Sequence, residues 1–241
     1  VSVPESPEES LQRLWSTVAA ALDDGSGGTD VLALVGEVST HLLPVDGVSI
    51  SLVGGARTRE TLYASDGVSD RIQRLQSSLG EGPSFEAYAA RRPVLVSDLA
   101  AERGSRWPVF AGEIGAYPVG AVFAFPLQRG AIGIGGLDLY RGEPGWLSTE
   151  EVATALRIVD IATLALLALR VDSLHGEGVV SLSRERVQVH QATGMLISGL
   201  GVPAEQALAK LRAHAFAVGR MVDEIADDLV SGRLVPADIE P

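Results

Sequence analysis

The sequence predicts an α+β fold: an antiparallel sheet flanked by helices, followed by a small all-α unit of three helices. Three observations predict it. The hydrophobic period changes from 3.6 to 2 after Pro44 and returns to 3.6 after Ser148. The stretch "VGAVFAFPLQRGAIGIGGLDLYR" (119–141) reads as two adjacent strands joined around Gln128 to Gly130. Residues 184–235 then carry three short apolar-periodic runs punctuated by Gly and Pro.

The elements follow in order. Ser10 is the expected cap of a first helix with Leu11, Leu14, Trp15, Val18 and Leu22 on one face, ended by Gly25 and the Gly27–Gly28 pair. Thr29 or Asp30 caps a second helix that Pro44 closes. "GVSISLVGG" alternates Val48, Ile50 and Leu52 against Ser49, Ser51 and Val53, a half-buried strand, with "ARTRETLYASDG" as its hairpin partner. A short helix over "SDRIQRLQSSLG", a glycine turn, a second short helix and the strand "VLVSD" come next. The glycines of "GAIGIGGLD" keep the second strand of the later hairpin slim, the mark of a bulge or a close backbone approach. Ser148 and Glu151 form a capping box for a long helix that is apolar on nearly every face from Ile158 onward. That surplus predicts packing against the N-terminal helices and against a second copy of the chain.

The boundaries that follow are an N-terminal helix (1–28), a mixed unit (29–172), a glycine-containing connector (173–183), a three-helix unit (184–235) and a tail (236–241). In the three-helix unit Val189, Ala192, Leu196 and Leu200 line the first helix. Ala207, Leu208, Leu211, Ala215 and Val218 line the second, and Val222, Ile225, Ala226 and Leu229 the third.

Composition bounds the chemistry. With 241 residues, 46% apolar and 21% charged, the chain has ample material for a core and a small satellite. It holds no cysteine, which removes disulfides, thiolate catalysis, zinc–thiolate and iron–sulfur sites and thioether-linked chromophores. The acidic, Pro/Ser-rich start lacks the pattern of an export signal, so a cytoplasmic location is expected. The most apolar run, "IVDIATLALLAL" (158–169), is too short to span a bilayer, and no membrane partner is expected. A net charge of -12 opposes non-specific adhesion to nucleic acid. Its distribution is uneven: residues 1–183 hold 13 basic and 23 acidic side chains, whereas 184–235 hold six of each.

Catalytic patterns are missing. The four histidines, His41, His175, His190 and His214, include no pair three or four apart and no HExxH, so no metal is expected. "GAIGIGGLD" fails as a dinucleotide fingerprint because Asp138 stands where the third glycine belongs and no helix follows. No phosphate-binding lysine loop, nucleophile elbow or kinase set occurs, and Asp98, Glu102, Glu113 and Asp138 belong to no acid/base motif. An enzyme is not expected. Trp107, Phe110, Tyr117 and Phe123, with Asp138, are the candidate lining of a ligand cavity between sheet and loops.

Residues 29–171 resemble a GAF domain of the actinobacterial sensor type, through "DGVSISLVGG", "LGEGPSFEAYAARRPVLVSDL", "RWPVF" and "FAFPLQRGAIGIGGLDLYRGEPGWLS". That resemblance implies a six-stranded antiparallel sheet and a small-molecule or dimerising role, with no chromophore or haem anchor evident and thus no cofactor. Residues 184–235 resemble an ANTAR domain, through "RVQVHQATGML", then Glu205, Ala207, Leu211 and Arg212, then Ala215, Arg220, Ile225 and Ala226. This second resemblance implies a homodimeric transcription antitermination regulator that binds a dual hairpin in nascent RNA. It implies Gln191, Ala192, Thr193 and Gly194 with Arg212 and Arg220 as the RNA-facing residues, helped by Arg186, His190 and Lys210. The chain departs from the pattern at Thr193, where lysine is frequent, and at Gly219, where a polar residue is frequent. The alternative function is a small-molecule sensor or dimeric scaffold whose C-terminal helices bind protein.

Overall fold

The structure, a computed structural model, describes residues 6–24, 29–53, 59–102, 106–175 and 184–239, with the side chains of 22–24, 29, 170–175 and 184–186 outside that description. Helices α1 (Pro7–Asp24) and α2 (Thr29–Leu42) precede strands β1 (Gly47–Val53) and β2 (Arg59–Ala64). Then come α3 (Gly67–Leu79), α4 (Pro83–Ala90), β3 (Val94–Val96), α5 (Pro108–Ile114), β4 (Ala121–Arg129), β5 (Ile132–Arg141) and α6 (Thr149–His175). Helices α7 (Arg184–Leu200), α8 (Ala204–Ala217) and α9 (Val222–Val230) follow. The connector, the tip of the first hairpin and the glycine terminator of α1 lie outside the described residues, as does the side chain of Leu22.

The described strands form one antiparallel sheet of five, in the order β2-β1-β5-β4-β3, where the resemblance implied six. Its two faces bury different things. On one, Val48, Ile50, Phe123, Phe125, Leu137 and Leu139 join the inner sides of α1, α2 and α6. On the other, Val122, Ala124 and Tyr140 pack with α3, α4 and α5 around Trp107 and Phe110. Every residue of β1 is therefore buried, and Ser49 and Ser51, expected to face water, point into the second layer instead.

Local chemistry sets the element ends. Ser148 and Glu151 cap α6 reciprocally: the Ser148 N–H donates to Glu151 Oε2 at 2.6 Å, and the Glu151 N–H to Ser148 Oγ at 3.2 Å. Helix α1 starts earlier than expected because Ser6 and Glu9 make the same exchange, which leaves Ser10 inside the helix and buried. Trp15 departs from the predicted apolar face and is 50% exposed. The slim strand is a real requirement at Gly135, where a Cβ would lie 2.0 Å from the Ser51 carbonyl oxygen.

The apolar surplus of α6 goes mostly to its own chain. Ala155, Ile158, Ala162, Ala165 and Leu166 are buried where the helix meets β4, β5, α1 and α2. The N-terminal helices are thus the observed partners, and no second copy is needed to cover these positions. Because the helix extends well beyond the 12-residue apolar run, Thr149–Leu169 is long and apolar enough by length and composition to cross a membrane, which corrects the reading from the shorter run; more than half of that stretch is buried in the core.

Helices α7, α8 and α9 share a core of their own, built by Ala192, Leu196, Ala207, Leu211, Ala215, Val222, Ile225, Ala226 and Leu229. Val218, expected beside them, is 48% exposed, because the chain leaves α8 through Gly219 at a φ of 66°. Two glycines separate the structural demands. Gly135→Ala is expected to lower stability in urea denaturation by roughly 1–3 kcal/mol, since the β1–β5 pair has no room for a methyl group. Gly194→Ala, exposed in mid-helix with nothing near its missing Cβ, is expected to raise stability by about 0.5–1 kcal/mol.

Candidate functional site

Burial of both sheet faces leaves Asp138 inside the protein. It pairs with Ser49 on β1 and Ala124 on β4, and its side chain is only 3% exposed. Helix α3 supplies the covering groups because Gln73 and Gln76, three residues apart, share its inner side with Ile72 and Leu75. The Gln73 amide donates to Asp138 Oδ2 and to Ser49 Oγ, the latter at 2.9 Å; the Gln76 amide donates to Asp138 Oδ2 at 3.5 Å. Gln76 Oε1 in turn accepts the Ser84 N–H at 2.8 Å, which fixes the start of α4.

Arg59, at the start of β2, completes the cluster. Its guanidinium donates to Ser84 Oγ (2.6 Å), the Ser84 carbonyl (2.7 Å) and Ser51 Oγ (3.2 Å), and it lies over the rings of Phe85 and Tyr88. Burial pushes the Arg59 pKa down, opposed by the charge of Asp138. Burial likewise pushes the Asp138 carboxyl up, opposed by Arg59 and by hydrogen bonds that include those from the glutamines. Two acceptors, Asp138 Oδ1 and Gln73 Oε1, are buried without a hydrogen-bond partner. Such a pair suits a group that brings N–H or O–H donors. Sequence reasoning missed Arg59, Gln73, Gln76 and Ser84; the signal was two glutamines at apolar-periodic positions of α3 opposite the serines of β1.

The predicted ligand lining is not brought together. Trp107 and Phe110 are closed into the layer beneath α3 and α5, with Tyr117 partly buried against them. Phe123 is buried on the opposite face of the sheet, because alternation along β4 sends it away from Ala124. Of the five, Asp138 alone belongs to the polar cluster.

The C-terminal residues also divide. Ala192 is fully buried in the three-helix core, and Thr193 is 8% exposed with its hydroxyl donating to the Val189 carbonyl at 2.7 Å, so both leave the expected RNA face. His190, Gln191 and Gly194 are exposed on α7, and Lys210 is half-buried on α8. The close approach expected at Gly194 is not there; space is open around its Cα. Arg220 is exposed but held by Asp228 at 2.6 Å and Glu224 at 3.6 Å. The side chain of Arg186 lies outside the described residues. No group of three or more potential metal ligands occurs among the described residues.

Arg212 turns toward the sheet-containing body. Its Nε donates to the Ser77 carbonyl of α3 at 3.0 Å, and its guanidinium stands 5.8 Å from the Phe85 ring centre. Nearby, Arg74 pairs with Asp223 at 2.7 Å, Ser78 Oγ accepts the Val222 N–H at 3.1 Å, and Met221 enters the core layer beneath α3. Between β2, α3 and the C-terminal helices lies a cleft of about 410 Å³. One helix therefore holds Asp138 on its inner side and the C-terminal helices on its outer side.

The buried carboxyl has a pH signature. An unfolded aspartate loses its proton near 3.8, the folded one at higher pH, so folding loses stability as pH rises between these two values. Asp138→Asn removes this term; relative to wild type, the variant is expected to become progressively less unfavourable as pH rises through that window, measured by urea unfolding at a series of pH values. No protein-family model matches the chain, and no curated protein matches it. Among solved structures it is similar to the GAF domain of an Acinetobacter phosphoenolpyruvate-protein phosphotransferase, at 14% identity and a TM-score of 0.53, over 74% of this chain and 99% of that one. It is also similar to the GAF domain of the same type of protein from Coxiella burnetii, at 15% identity and a TM-score of 0.52, over 68% of this chain and 96% of that one. Each match takes in nearly all of the neighbour and leaves part of this chain over; the sheet and the helices packed on it have the fold of a GAF domain.

Proposed function

We propose that the chain is a non-enzymatic, signal-responsive regulator: the GAF-fold body senses a small molecule, and α7–α9 form an ANTAR-like unit that binds hairpin-containing RNA in transcription antitermination. The observation that carries this reading is the double use of α3. Gln73 and Gln76 on its inner side hold the incompletely satisfied Asp138 cluster, and Arg74, Ser77 and Ser78 on its outer side hold α8 and α9. A ligand that repositions α3 from within changes the grip on the C-terminal helices, which gives two sites and a shared element. The RNA-facing set is then Gln191, Gly194, Arg220 and Lys210 with His190, joined by Arg212 when the C-terminal helices leave α3. The working form is a cytoplasmic homodimer.

A second reading, a sensor whose C-terminal helices bind protein, is favoured by Phe216 and Val218, which are 60% and 48% exposed at the end of α8. Gel shifts on the full chain separate the two. Arg74→Glu sets a carboxylate against Asp223 and opens the contact with α3. It is expected to tighten binding of a labelled dual-hairpin RNA by roughly several-fold, since a larger fraction of molecules is competent. Adding Arg212→Ala is expected to remove that gain and to reduce the salt dependence by about one counterion. Equal, loop-independent binding by wild type and both variants favours the protein-binding reading.

A further inference from the structure

We infer that the cleft between the GAF-fold body and the C-terminal helices is a ligand site in its own right, for a small organic anion with an apolar body, anchored by Arg212. This site shares Arg59 with the Asp138 cluster but is centred on Arg212 at the outer side of α3, and it does not depend on whether α7–α9 bind RNA. Its volume, about 410 Å³, falls within the roughly 300–1,000 Å³ of small-molecule sites.

Charge matching selects the ligand. Three guanidiniums line the cleft. Arg59 is satisfied by Ser51 and Ser84 and supported by Asp138, and Arg74 is paired with Asp223 and supported by Asp70. Arg212 is different: among the described residues no carboxylate lies within ion-pair distance of it, and its one hydrogen bond, from Nε, goes to a neutral carbonyl. Burial pushes its pKa down with no acidic group opposing the shift. A partly desolvated cation without a counterion is costly, and an anion brought to its terminal nitrogens recovers that cost through charge-assisted hydrogen bonds. The remaining acid on the cleft wall, Glu60, is buried at 3% exposure on β2.

Room for the arginine is built in. Gly80 ends α3 at a φ of 69°, and a Cβ there would stand 3.0 Å from Arg212 Nη1, so the α3 terminus that provides the left-handed cap also admits the guanidinium. Leu62, Leu208 and Val222 supply apolar wall, which accounts for the non-polar body of the ligand. Because β2 and α3 form one side and α7–α9 the other, a molecule held there touches both units.

Titration calorimetry on the full chain tests the site with phenyl phosphate as the anionic probe and phenol as the neutral body. Wild type is expected to bind phenyl phosphate saturably and at least about tenfold more tightly than phenol, as one or two charge-assisted bonds require. R212Q is expected to lose that preference and R212K to keep part of it. L208W, which fills the cleft and leaves every charge in place, is expected to abolish binding. Circular dichroism melts establish that each variant is folded; should R212Q fail to fold, R212K and L208W decide the matter. Absence of saturable binding to wild type, or unchanged affinity in folded R212Q or L208W, would overturn the inference. None of these outcomes bears on the RNA gel shift, which tests the proposed function separately.

Discussion

The architecture depends on one constraint: the central strands are covered on both faces, so the polar residues of β1 and β5 cannot turn to water. Ser49, Ser51 and Asp138 must find partners within the protein, and burying an ionised carboxylate without them costs several kcal/mol. Gln73, Gln76 and Arg59 meet most of that demand. In doing so they fix the rotation of α3 about its axis, because amides three residues apart must point at the same carboxylate. Once the inner side is fixed, Arg74, Ser77 and Ser78 necessarily face outward. The docking surface for α8 and α9 is thus a geometric consequence of how a buried aspartate is satisfied.

The opposite face of the sheet follows different physics. Among the described residues there is no polar network linking β4, β5 and α6 on that side, only interlocking apolar side chains with α1 and α2 closing over the long helix. An apolar layer is non-directional and rewards area, whereas the α3 layer is directional and rewards geometry. A change in the number of hydrogen bonds at Asp138 therefore acts first on α3, and α6 is insulated from it by the sheet. This asymmetry confines such a change to the α3 side of the sheet, away from the long helix α6.

What the sequence made legible was periodicity and local punctuation. The Ser148/Glu151 exchange, the turn at Gly130, the close approach at Gly135 and the buried positions of α8 and α9 were all readable, because each is decided within a few residues. What was not readable was decided across layers. Alternation told that Phe123 and Asp138 lie on strands but not that Phe123 faces α6 and Asp138 faces α3. Ala192 carried two readings, apolar seam and RNA face, and lies in the three-helix core; Thr193, read only as RNA-facing, is buried beside it with its hydroxyl on the Val189 carbonyl. Arg59 read as part of a polar edge strand, since nothing local announces that α4 closes over it. Arg212 was placed on an outward face because the position of α3 against α8 is a tertiary fact.

Arg212 also sets a thermodynamic condition on the proposed function. Its guanidinium cannot stand against the Ser77 carbonyl and Phe85 and at the same time reach a phosphate beyond the C-terminal helices. Docked and RNA-engaged forms of this arginine are thus exclusive, and exclusivity between two sites is a coupling free energy that runs both ways. Anything that stabilises the docked form weakens RNA binding by the factor by which RNA weakens it. On a chain of net charge -12, where the three-helix unit holds equal numbers of acidic and basic side chains, the general field gives RNA no help. The balance must then be set by a few specific cations, and withholding one of them at the α3 surface is a larger fraction of the available attraction than it would be on a basic protein.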